Sequence, residues 1–284
     1  MHTEQKVIVP DPDHTDRTAL WLPLLQQLTD VAPSWLVWKN AESAFSGVGD
    51  IDAAAAAADW PVIERTFVDW AAEHGVGPTV VCRHIPGGLN LIAVPDGWAT
   101  FLEMGTKARR FWRGSTLFVL EDLESMLVMD PRGFRRLRPG AEGLFKLLLN
   151  GTRRSGRPDL AALEAKGVRE LLQADPDGVR QAAALLGPAS HAAVVGARHA
   201  AAGGWSWPAM LAVEGWATMR GLADPRSWLA RLRFRLRGRA TCPVVEAILG
   251  QGRRIPSDRE GWIRELSVDH LVYPGAFPTG TPPD

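Results

Sequence analysis

The stretch GVGDIDAAAAAADW, residues 47–60, decides how the first half of this 284-residue chain is read. Asp50 and Asp52 flank Ile51, with Gly47 and Gly49 before them and six alanines after. As a turn, the stretch is solvated filler in which Asp52 caps an alanine helix. As a strand, it sends both aspartates to one face, because side chains alternate with a period of two. Two carboxylates on one face repel each other, and an external cation resolves the repulsion. A hard cation such as Mg²⁺ takes oxygen ligands and keeps several waters together with substrate phosphates. The strand is the reading carried forward. It puts Ile51 in the core, ends the strand in the first alanines and makes Asp59 the N-cap of the next helix.

The flanking sequence supplies the rest of a sheet. RTALWLPLLQQLTDVAPS (17–34) has helical spacing of Leu and Trp and is ended by Pro33. WLVWKN (35–40) is an apolar run with a polar end, a buried strand. After Asp59, Pro61 opens a helix that runs to Gly75. TVVCRHI (79–85) and LNLIAV (89–94) read as a hairpin through Pro86-Gly87-Gly88. WATFLEMGT (98–106) reads as the last strand, with Ala99, Phe101 and Glu103 on one face and Thr100, Leu102 and Met104 on the other. The order strand, strand, helix, strand, strand, strand predicts an α+β fold, a small mixed β-sheet with covering helices. A helix is expected from about Leu120, and another from Pro139 to a stop at Gly151, with Lys146 early in it. From Pro158 the pattern is helical almost throughout. This divides the chain into an α+β domain (18–138), an α-helical domain (139–270) and irregular tails (1–17 and 271–284).

These elements resemble the nucleotidyltransferase (DNA polymerase β-like) superfamily, in its uncharacterised bacterial branch. The resemblance is carried by a strand and glycine-bearing loop (WLVWKN to GVG), the pair Asp50-Ile51-Asp52 and a third acid, Glu103, on a later strand. It continues through the Trp112-Arg113-Gly114 segment and the Lys146 helix, and covers roughly residues 20–152. It implies Mg²⁺-dependent transfer of a nucleoside monophosphate from an NTP to a hydroxyl acceptor. Asp50, Asp52 and Glu103 would be the catalytic, metal-holding acids, with in-line attack at the α-phosphate between two metal ions. Lys39, Asn40, Gly49, Arg113 and Lys146 would meet the nucleotide. The acceptor stays open among RNA, a protein hydroxyl and a small alcohol. Three departures leave open an alternative, a catalytically inactive nucleotide- or RNA-binding scaffold, and the first of them is the one that favours it. Lys39-Asn40 replaces Gly-Ser, Glu103 replaces Asp, and alanine follows the acid pair.

Composition narrows the setting. Lys+Arg and Asp+Glu both number 32, so global charge selects no polyanionic partner. Arg231, Arg235 and Arg239 form a helical basic stripe, and DPRGFRRLRPG (130–140) is a second Arg cluster; together they would form a phosphate-friendly surface. Cys82 and Cys242 are the only cysteines, which fits a reducing cytoplasm and excludes a four-thiolate zinc site. His191 and His199 read as structural, and Arg83-His84 as a surface pair. No signal peptide or membrane span is legible. Twelve Trp against one Tyr suggests a GC-rich, bacterial coding sequence.

Overall fold

The computed structural model describes residues 16–47, 49–76, 79–82, 88–93, 102–165, 167–224, 229 and 271–273. Helix α1 (Thr18–Val31) buries Trp21, Leu24, Leu25 and Leu28. Strand β1 (Leu36–Lys39) follows, then a short helix α2 (Ala41–Phe45), then β2 (Ile51–Ala54). Helix α2 was not foreseen, because five residues are too few to show a period. The chain enters it through Asn40, whose φ of 71° is left-handed, a conformation asparagine tolerates better than most residues. Helix α3 (Trp60–Glu73) starts after Asp59, but Asp59 does not cap it. Its Oδ2 instead accepts from the Ser34 amide at 3.0 Å and hydroxyl at 2.5 Å, tying the start of α3 to the turn before β1.

Strands β3 (Thr79–Cys82) and β4 (Gly88–Ala93) pair antiparallel. Strand β5 (Leu102–Lys107) pairs antiparallel with β4 and parallel with β2, so Glu103 lies on an interior strand. Nor is β5 the last strand. β6 (Arg109–Trp112) and β7 (Ser115–Val119) form a separate ribbon, and β8 (Leu127–Met129) and β9 (Arg135–Leu137) extend the main sheet beyond β1. A 3₁₀ segment, Leu120–Met126, stands where the helix near Leu120 was expected. β10 (Leu271–Tyr273) adds to the opposite edge beside β3, where an irregular tail was expected. The main sheet has eight strands in the order β10-β3-β4-β5-β2-β1-β9-β8, both parallel and antiparallel. The fold is mixed α+β.

Alternation along the strands separates two cores. Val37, Ile51, Ala53, Leu91, Leu102 and Met104 pack with α1 and α3, where Trp21 and Trp70 stack at 5.4 Å. Leu36, Trp38 and Ala54 face the other way, into a cluster with Phe118 and Phe145. Ala53 and Ala54 are fully buried on opposite faces, so the central strand carries small residues because both sides are covered.

The second core is shared with the helices α4 (Pro139–Leu149), α5 (Leu160–Ala165), α6 (Val168–Ala174), α7 (Pro176–Ala184), α8 (Ser190–Ala201) and α9 (Trp207–Leu222). At the α4–α7 crossing a Cβ on Gly140 would lie 1.8 Å from the Asp175 carbonyl oxygen, so the two backbones touch there. No helix among the described residues is long and apolar enough to cross a membrane.

Candidate functional site

The β2–β5 register sets Ile51 opposite Met104 and Asp52 opposite Gly105. Ile51 and Met104 point into the α1/α3 core. Asp52, Glu103, Gly105 and Lys107 therefore share the other face, joined by Asn90, which β4 sets opposite Gly105. Asp50 immediately precedes β2, near enough to Asp52, Lys39 and Lys107 for their charges to act on its carboxyl. The sheet face that is apolar over Trp38 and Ala54 thus turns polar over β2, β5 and β4.

Lys39 reaches this face through an irregularity in β1. Val37 pairs with Ala53 and Lys39 with Asp52, so β1 holds one extra residue, a β-bulge. Without it, Lys39 would share the face of Val37, inside the apolar core. With it, Lys39 Nζ lies 2.7 Å from Asp52 Oδ2. Asn40 Nδ2 donates to the same oxygen at 2.9 Å, and Lys107 Nζ stands 4.0 Å from Oδ1. Asp52 is only 5% exposed, so its charge is balanced from within the fold. Burial pushes the Lys107 ammonium below its usual range, with Asp52 acting in opposition.

Asp50 is half-buried, and its carboxyl is raised above the ordinary range. Burial is the main cause, and the neighbouring Asp52 charge is the second. Glu103 accepts from Asn90 Nδ2 at 3.2 Å. The side-chain oxygens of Asn40 and Asn90 are both buried with no hydrogen-bond donor among the described residues.

Asn40 joins this cluster to a second one. Its backbone N–H donates to Glu142 Oε1 at 3.1 Å. Glu142 is 3% exposed and also takes Lys146 at 2.8 Å and Arg136 at 2.8 Å. Lys146 therefore stands in the last turn of α4, not early in it, and is itself buried against Glu142. Arg113 occupies the β6–β7 turn with φ 51°, followed by Gly114 at φ 100°, the twist a two-residue hairpin needs. Its guanidinium grips Glu214 of α9 at 2.5 and 2.8 Å and the Thr152 carbonyl at 2.8 Å, which clamps the ribbon to the helices. Gly49 is exposed at φ 107°, a conformation that suits glycine.

The Arg cluster at 130–140 does not present the positive surface expected of it. Arg132 pairs with Asp130 and Glu42, Arg136 with Asp130, Glu42 and Glu142, and Arg138 with Asp175. Arg135 donates to the carbonyls of Thr29, Ala32 and Pro33 at the end of α1. These guanidiniums are neutralised or bonded within the fold. The stripe at 231–239 and the Arg83-His84 pair lie outside the described residues. His199 sits on α8 with its ring nitrogen bonded to the Val195 carbonyl, consistent with a structural role.

Among the described residues no three His, Cys, Asp or Glu side chains form a ready-made metal cage. Mg²⁺, however, is commonly held by one or two carboxylates plus substrate phosphates. Asp50 meets that demand as a carboxylate whose ionised form is penalised in its surroundings, which a divalent cation would relieve, whereas Asp52 Oδ2 is already taken by Lys39 and Asn40. Lys107 and Asn90 were missed from sequence. Lys107 was within reach there, since Glu103, Gly105 and Lys107 follow one another at period two. No family model, curated protein or solved structure matches the chain significantly.

Proposed function

We propose that the chain is a Mg²⁺-dependent nucleotidyltransferase that moves a nucleoside monophosphate from an NTP to a hydroxyl acceptor, with pyrophosphate as the leaving group. The supporting observation is one sheet face that carries Asp52 on β2 and Glu103 on the neighbouring parallel strand β5, with Asp50 just before β2 and Lys39 and Lys107 beside Asp52. Asp50 and Asp52 would hold the magnesium, which when bound neutralises phosphate oxygens as a Lewis acid. Lys39 and Lys107 bring two ammonium groups to where a triphosphate would lie, and Glu103 provides a carboxylate to take the proton of the attacking hydroxyl. The rate gain is positioning and charge neutralisation. Lys146 and Arg113 act at a distance from phosphate in this reading, since Glu142 and Glu214 engage them. A cytoplasmic setting accords with the two widely separated cysteines.

A second reading, a nucleotide-binding protein without catalysis, is favoured by the Lys39–Asp52 pair at 2.7 Å, which puts a lysine where a metal is needed. Incubation of the protein and a cell extract with each of the four NTPs, labelled at the α-phosphate, separates the two. The expected result is Mg²⁺-dependent labelling of an RNA, protein or small-molecule fraction, lost in Asp50→Asn. Binding of an NTP with no label transferred from any of the four supports the second reading and refutes the first.

A further inference from the structure

We propose that Lys39 is a built-in counter-ion for Asp52, which yields its place to a divalent cation only when a triphosphate is present to receive the lysine. The inference rests on the proposed nucleotide site. Asp52 Oδ2 is filled from two sides, by Lys39 Nζ at 2.7 Å and Asn40 Nδ2 at 2.9 Å. Oδ1 faces Lys107 at 4.0 Å. A bare cation approaching Asp52 meets two ammonium groups before it meets a free oxygen, and their repulsion is strong where burial excludes water.

Lys39 is 7% exposed, so it cannot leave Asp52 for bulk solvent without also shedding most of its contacts, among them the Trp38 ring 5.0 Å away. An anion arriving on the same face supplies the alternative partner. A triphosphate is such an anion, and it carries the metal with it. The bulge in β1 is the structural device, since it turns a lysine from the core face onto Asp52. Metal and nucleotide binding are thereby coupled, each raising the affinity of the other by the same factor.

The test uses Mn²⁺ alone as the probe, because it accepts the same oxygen ligands and is visible by electron paramagnetic resonance. Wild type, Lys39→Met and Lys39→Met/Asp52→Asn are compared, with melting temperature as a second readout. Wild type should take up no Mn²⁺ in the millimolar range without nucleotide. Lys39→Met should melt lower in chelator, bind Mn²⁺ at least about tenfold more tightly than wild type and recover its melting temperature as it does so. The double variant should melt above Lys39→Met in chelator and lose the Mn²⁺ response. If Lys39→Met fails to fold in chelator, recovery on refolding in Mn²⁺ carries the same meaning, and no recovery overturns the proposal. Equal Mn²⁺ binding by wild type and Lys39→Met also overturns it. Adding an NTP afterwards separates this role from the nucleotidyltransferase reading. Lys39→Met that takes Mn²⁺ while no form of the protein takes nucleotide leaves Lys39 as the counter-ion of Asp52, overturns its release by a triphosphate and removes the enzyme.

Discussion

Asp50→Asn and Asp52→Asn, two positions apart at the start of β2, are expected to move the melting temperature in opposite directions. Asp52 is the buried partner of Lys39 and faces Lys107. Removing its charge strands a lysine that is itself 7% exposed. Breaking a buried pair from one side costs about 3–5 kcal/mol. At roughly 2–4 °C per kcal/mol for a chain of this size, the fall is on the order of 6–20 °C.

Asp50 behaves oppositely. Burial, and then the charge of Asp52, raise its carboxyl in the folded state. Above the ordinary carboxylate value of 3.8 the folded chain binds the extra proton more readily than the unfolded chain does. Stability therefore falls as pH rises through that window, and the penalty is fully present once both states are ionised. Asp50→Asn removes it, so the variant should melt higher at pH 7, by the ~0.5–2 kcal/mol that a single stabilising substitution commonly gives. The gain should vanish below pH 3.8, where Asp50 is protonated in both states. Thermal melts of the two variants from pH 3 to pH 8 check both signs. A loss of stability in Asp50→Asn at neutral pH contradicts this assignment.

Glu142→Gln is the second large effect. Its carboxylate takes Lys146, Arg136 and the Asn40 amide together inside the fold. Burial alone would raise its carboxyl, but Lys146 and then Arg136 overcome that and hold it below the usual range. It therefore contributes stability above its ordinary value of 4.5 that is lost as pH falls. Neutralising it removes the charge that Lys146 and Arg136 share inside the fold, again about 3–5 kcal/mol. Arg136 keeps Asp130 and Glu42, so the loss falls mainly on α4 and on the Asn40 turn. Hydrogen exchange should show β1 and α4 opening together in the variant, and an unchanged denaturation midpoint would contradict the hub.

Much of the N-terminal half was legible because its strands obey simple rules. Ile51 between two acids, and Leu102 and Met104 around Glu103, alternate cleanly, so the shared face of these acids could be read before the sheet order was known. β6, β8 and β9 were not legible, since three or four residues rich in Arg or Met show no period. The partners of the candidate site were harder still. The side Lys39 faces depends on one extra residue in β1, and no propensity announces a bulge. Lys146 and Arg113 looked like free cations because Glu142 and Glu214, which bind them, are distinguished from other glutamates only by burial. The same holds for Arg132, Arg136 and Arg138, whose acids lie on α2, on α4, at the N-cap of α7 and in the turn before β9.

The central claim is that one polar patch on the sheet holds Mg²⁺ and a triphosphate together. Titration calorimetry with a non-hydrolysable NTP, in Mg²⁺ and in chelator, tests it most directly, on wild type and on Asp50→Asn, the variant expected to be fully folded. The account predicts saturable binding by wild type in Mg²⁺, at least about tenfold weaker binding in chelator and the same weakening in Asp50→Asn even with Mg²⁺. Binding of equal strength in all of these conditions, or none to wild type with any of the four nucleotides, would contradict it.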